Sequence, residues 1–98
     1  MGGLIVQTEQ ATKLLDKILR KYASQVSAEW GCSEDNGHTL VTLRISDWSG
    51  AKSTAFDARQ LEQPDQLRYR LLRLWGDLLE VRNEKQLQEL IGTGGEGK

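Results

Sequence analysis

Apolar residues first fall into step at Ala11, Leu14, Leu15, Ile18, Leu19 and Tyr22. Their i, i+3, i+4 spacing places them on one face of an α-helix. Thr8 stands where an N-cap belongs, and Glu9 lies in the first turn, where the helix dipole favours negative charge. The pattern predicts a helix from about Glu9 to Ala23. The period then changes to two. Val26, Ala28, Trp30 and Cys32 alternate with Ser27, Glu29, Gly31 and Ser33, as in a strand with one apolar face. Asn36-Gly37 is a strong two-residue hairpin signal, because a type I′ turn needs positive φ at both positions. A turn there sets Cys32 opposite Val41, Trp30 opposite Leu43 and Ala28 opposite Ile45, all on one face. Glu29 then meets Arg44 on the other face, an opposite-charge cross-strand pair.

Ser49-Gly50 predicts a second tight turn. That register puts Thr54 opposite Ile45, Phe56 opposite Leu43 and Asp47 opposite Lys52. The three strands form an antiparallel meander of order 1-2-3. The second face of the sheet carries Ser27, Glu29, Thr42, Arg44, Ser46, Ser53 and Ala55, a small polar set expected to be wet. Residues 57–61 read as a turn or short helical piece, and Pro64 suits the first position of a long helix. Leu67, Leu71, Leu72, Leu74, Trp75, Leu78 and Leu79 give that helix an apolar face wide enough to touch both the sheet and a neighbouring helix. Gly76 in its middle costs about 1 kcal/mol relative to Ala, which close packing or a kink would explain. Asn83 followed by Gln86 reads as a new start. A last short helix with Leu87, Leu90 and Ile91 is then expected to end at Gly92.

The fold class expected from this is α+β: a helix, a three-stranded meander, a long helix and a short C-terminal helix. All helices pack on one sheet face, giving two layers around one core. Residues 1–92 form a single domain, and the Gly-rich residues 93–98 are expected to be a disordered tail.

The chain has 98 residues and a net charge of about −1. A strongly basic balance would suggest nucleic acid or anionic membrane as partner, so here any electrostatic targeting must come from a local patch. Cys32 is the one cysteine, which excludes an internal disulfide. No apolar run approaches the roughly 20 residues of a membrane span. The start lacks the basic, then apolar, pattern of a signal peptide. Val6 also stands where the myristoylation pattern needs Ser or Thr. These features together give a cytoplasmic expectation.

Candidate chemistry is sparse. Cys32 and His38 flank the first turn, but the register points Cys32 into the core and leaves His38 beside the turn. With no further Cys or His, a zinc site lacks its usual ligands. Glu34-Asp35-Asn36-Gly37 lacks the spacing of a calcium loop. Residues 92–98 match the letters G-x-x-x-x-G-K of a phosphate loop, without the following Ser or Thr and without the strand and helix that must flank it. No paired carboxylates and no Ser-His-Asp set stand out, so no catalytic residue, metal or cofactor is expected.

Lys13, Lys17, Arg20 and Lys21 form the one concentrated positive patch, opposite the apolar stripe of the first helix. Such a patch could meet phosphates. Glu9 and Asp16 stand four residues before Lys13 and Arg20, the spacing of helix-stabilising ion pairs. The order of elements resembles that of the double-stranded-RNA-binding domain. That resemblance implies an RNA surface on the first helix, the first hairpin loop and the start of the second helix. The basic first helix fits it, whereas Glu34 and Asp35 in the loop and Pro64-Asp65-Gln66 at the second helix do not.

Trp48, beside the second turn, lies on the outer-face parity of the sheet with Leu40 and Arg44. An exposed Trp can anchor a protein partner, and it can also pack over the end of its own hairpin. The favoured expectation is a non-enzymatic protein-interaction module, with a homodimer as one form it can take, using Trp48, Leu40, Arg44 and the sheet edges. The alternative is a weak RNA- or DNA-binding domain using Lys13, Lys17, Arg20 and Lys21.

Overall fold

The computed structural model describes the backbone of residues 2–96 and the side chains of residues 6–34 and 36–91. Its first helix, α1, spans Gly2–Leu19. Thr8 therefore sits inside the helix and does not cap it. The Thr12 hydroxyl donates back to the Thr8 carbonyl at 2.8 Å. The helix also ends earlier than Ala23. Arg20 has φ 55, a left-handed conformation that stops α-helical winding, and a 3-10 segment, Arg20–Gln25, carries the chain to the sheet. Ala11, Leu15 and Leu19 from the expected stripe are buried, with Leu14, Ile18 and Tyr22 packed beside them.

Strands β1 (Ser27–Asp35), β2 (His38–Asp47) and β3 (Gly50–Asp57) form one antiparallel sheet of order 1-2-3. Asn36 (φ 52) and Gly37 (φ 79) supply the two positive φ values of the first turn. The pairs Cys32–Val41, Trp30–Leu43, Ala28–Ile45 and Glu29–Arg44 all stand in the expected register. Burial along β1 differs from expectation. The second long helix packs on β3 and β2, so β1 is the edge strand farthest from it. Trp30 and Val26 reach the core, while Cys32 and Ala28 keep their register but are exposed.

The second hairpin turns one residue earlier than expected. Asp47 pairs with Gly50, which moves Thr54 opposite Leu43, Phe56 opposite Val41 and Lys52 opposite Ile45. The shift is two residues, so each side chain keeps its face. Its cause is local: Asp47 Oδ1 accepts from the Ser49 N–H at 2.8 Å and the Ser49 hydroxyl at 2.5 Å, closing the turn around Trp48 and Ser49. Asp47 does not pair with Lys52.

A 3-10 turn, Ala58–Glu62, follows β3. Its capping box joins the Asp57 carboxylate to the Arg59 N–H and the Gln60 amide oxygen to the Asp57 N–H. Pro64 then opens the second helix, α2, which runs unbroken over Pro64–Glu96. The expected restart at Asn83 does not occur, so the short C-terminal helix is the far end of α2. Glu84-Lys85-Gln86-Leu87 are all good helix formers, and nothing in them ends the preceding turn. The backbone at 93–96, expected as tail, continues the helix, while Gly97 and Lys98 lie outside the described residues.

One core unites the layers. Val41, Leu43, Ile45 and Phe56 from the sheet meet Leu67, Leu71, Leu74, Trp75 and Leu78 from α2, with Leu61 closing one end. Among the described residues, no helix is long and apolar enough to cross a membrane.

Neither close packing nor a turn accounts for Gly76. A Cβ built there meets nothing within 4 Å, and the residue has no positive φ. Gly76→Ala is therefore expected to stabilise the fold by about 1 kcal/mol, seen in dilute protein as a higher urea midpoint with unchanged m-value. An unchanged or lower midpoint would refute this reading of the helix.

Candidate interaction surfaces

The polar sheet face is exposed as expected at Ser27, Glu29, Thr42, Arg44, Ser53 and Ala55. Arg44 donates to Glu29 at 3.2 Å with both side chains largely in solvent, an arrangement that contributes little stability. The three residues expected as an anchor on this face do not gather. Leu40 is half-buried between Ser33 and Asp57. It stands about 23 Å along β2 from Asp47, the residue before Trp48, with Arg44 in between. The β3 edge is partly covered too: the Arg70 guanidinium donates to the Ala55 carbonyl at 2.7 Å, blunting that edge against strand addition.

Trp48 is 53% exposed, yet its ring belongs to a different constellation. Asp47 continues the inner-face parity of Val41, Leu43 and Ile45. Arg82 stands four residues after Leu78 and seven after Trp75, on the core stripe of α2. The two meet at 2.7 Å, their side chains 0% and 11% exposed. The Arg82 guanidinium lies 5.1 Å from the Tyr22 ring centroid, 5.8 Å from Trp75 and 5.9 Å from Trp48. Burial pushes the Asp47 carboxyl up. The Ser49 hydroxyl and N–H and the Arg82 guanidinium outweigh it, and the net shift is below the usual carboxylate range. This pair locks the second hairpin onto α2. A charged residue on each of two otherwise apolar stripes was the signal in the sequence that points to it.

Lys13, Lys17, Arg20 and Lys21 are all exposed. The first two lie on α1 and the others in the 3-10 segment, with Lys21 Nζ 5.4 Å from the Tyr22 ring. Ion pairs join Glu29 to Arg44 and Asp47 to Arg82, whereas none joins Glu9 to Lys13 or Asp16 to Arg20. Cys32 and His38 are both exposed at the hairpin end. Among the described residues, no three His, Cys, Asp or Glu side chains could together hold a metal.

The largest apolar exposure is on α2. Tyr69, Leu72, Leu87 and Leu90 are 63%, 45%, 56% and 73% exposed. At 3.6 residues per turn these four fall within an arc of about 60°, centred opposite Leu67, Leu71, Leu74 and Leu78. Gly76 and Asn83 lie in the same arc between the two pairs, so the helix carries large apolar side chains on each of two opposite faces. The width of the leucine pattern, expected to serve the sheet and a neighbouring helix, thus includes Leu72, which faces away from both. Beyond Arg82 every described side chain from Asn83 to Ile91 is exposed, and the molecule extends 57 Å along its longest axis. An open groove lined by Thr54, Tyr69, Arg70, Arg73 and Asp77 borders the stripe on the β3 side.

Comparison of the chain with protein-family models, with curated proteins and with solved structures found no match.

Proposed function

We propose that this chain is a small, non-enzymatic protein-interaction module whose docking surface is the outward stripe of α2. One observation carries the proposal: four large apolar side chains stand exposed in a single line on a helix that already fills its core with the opposite face. Scattered surface leucines need no explanation, but large apolar side chains aligned on one face of a polar helix mark a contact site. Two i, i+3 pairs of exposed anchors, Tyr69 with Leu72 and Leu87 with Leu90, suit a helical or grooved protein partner. The sheet face offers less, because Leu40 is half-buried and Trp48 is engaged with Arg82.

The test is affinity capture from native extract with the wild type and with Leu72→Glu, beside self-association of both as purified proteins. The variant is expected to keep its circular dichroism and to lose every specific protein contact. Contacts that survive Leu72→Glu undiminished would overturn the proposal. A second reading, nucleic-acid binding, has its own support: four exposed cations that no described carboxylate pairs with. A nuclease-sensitive excess of absorbance at 260 nm, removed by Lys17→Glu with Lys21→Glu and weakened by salt, would favour it.

A further inference from the structure

We infer that the occupant of this stripe is a second copy of the chain, its α2 lying antiparallel across the first with the two-fold axis near Gly76. This rests on the proposal that the stripe docks a protein, and it names that protein.

The spacing fits a helix–helix seam. Tyr69, Gly76, Asn83 and Leu90 recur every seven residues, and Leu72 and Leu79 follow the first two by three. That is the heptad pattern of two helices packed side by side; Tyr69, Leu72 and Leu79 carry it, and Asn83 and Gln86 make its next turn polar. Gly76 lies at the middle of the seam over the folded body, with open space where a Cβ would stand. Its lack of a side chain lets a second helix approach closely, against Leu72 and Leu79 of the other copy.

Charge selects the direction. Arg73 and Glu80, each four residues after a seam position, lie on the same flank of the stripe. In an antiparallel pair that flank meets itself, so Arg73 of each copy meets Glu80 of the other, twice by symmetry. In a parallel pair the flank meets the one carrying Arg68, which sets Arg68 against Arg73 twice. Like charges placed so close oppose association. The two-fold contact is self-complementary, as a closed homodimer requires.

Sedimentation equilibrium of the purified full chain should show the mass rising with concentration to twice 11.0 kDa. Leu72→Glu should remain folded and monomeric. Glu80→Arg should weaken the dimer roughly tenfold or more, and Arg73→Glu in the same chain should restore it. In a Cys32→Ser background, Gly76→Cys should form a disulfide-linked dimer under oxidation. Leu90→Cys should not, because its two copies would lie about 42 Å apart. A monomer at every concentration, or a dimer indifferent to Leu72→Glu, overturns the inference. Cross-linking through Leu90→Cys, or no rescue by the charge swap, overturns the antiparallel register. A monomer that still captures a defined polypeptide through Leu72 refutes the inference and leaves the proposed function standing. Loss of both refutes both.

Discussion

Asp47→Ala is expected to destabilise the fold by about 3–5 kcal/mol, the range for removing one partner of a buried ion pair. The whole domain holds only about 5–15 kcal/mol. The carboxylate accepts from Arg82 at 2.7 Å and from the Ser49 N–H and hydroxyl, with its side chain fully out of solvent. Its loss leaves a guanidinium among three aromatic rings without a counter-charge, and it also opens the turn that sets the second hairpin. Urea denaturation should show the loss as a lower midpoint. The double variant Asp47→Ala with Arg82→Met should lose less than the sum of the two singles, because the uncompensated charge is gone. Strict additivity would mean that the pair does not act as a unit.

The same carboxylate gives a pH dependence with a fixed sign. Its folded-state pKa is lowered, so the unfolded chain binds the proton more tightly. The stabilisation is therefore present above the unfolded value, about 3.9, and is lost as pH falls below it through the folded value. Asp47→Asn should flatten the stability profile in that acidic window. A wild-type profile as flat as the variant's would contradict the lowered pKa.

Short-range signals carried most of the fold. Asn36-Gly37 fixed one register completely, because two positive φ values and an alternating pattern pointed to the same pairing. Ser49-Gly50 misled by one turn position, since the deciding interaction was the Asp47 carboxylate closing on Ser49. Residue type suggested a turn there but not which atoms would close it. The Asn83 and Gln86 start signal failed for a related reason. A cap acts only where the chain has left the helix, and no residue before Asn83 forces it out. The surface was harder to read than the core. Leu72 and Leu74 look alike in a list of leucines, and their opposite fates depend on where α2 rests on the sheet. Arg82 was legible only in combination with Asp47, since each alone reads as an ordinary surface charge. The basic run of Lys13, Lys17, Arg20 and Lys21 is exposed, as its place opposite the apolar stripe implies, but Glu9 and Asp16 do not close on it.

Phe56→Ala is expected to destabilise by about 3–5 kcal/mol, the range for a buried aromatic truncated to a methyl. Phe56 is fully buried at the end of β3, directly before the Asp57 cap. Its ring lies 6.3 Å from that of Trp30, and the Arg70 guanidinium covers it at 5.7 Å. It therefore ties three things together: the β1 edge through Trp30, the start of α2 through Arg70, and the turn between β3 and α2. The contents of the site cannot easily collapse, because Trp30 is held by its indole N–H donating to the Thr12 hydroxyl at 2.9 Å. At about 4–8 °C per kcal/mol for a domain of this size, the melting temperature should fall by at least about 12 °C. Phe56→Leu, which keeps most of the volume, should lose far less. If Phe56→Ala unfolds with an unchanged m-value, sheet and α2 form one cooperative unit, and the outward stripe is presented by a rigid body. A reduced m-value with retained helical signal would instead mean that α2 persists apart from the sheet, and the stripe would then be a property of the helix alone.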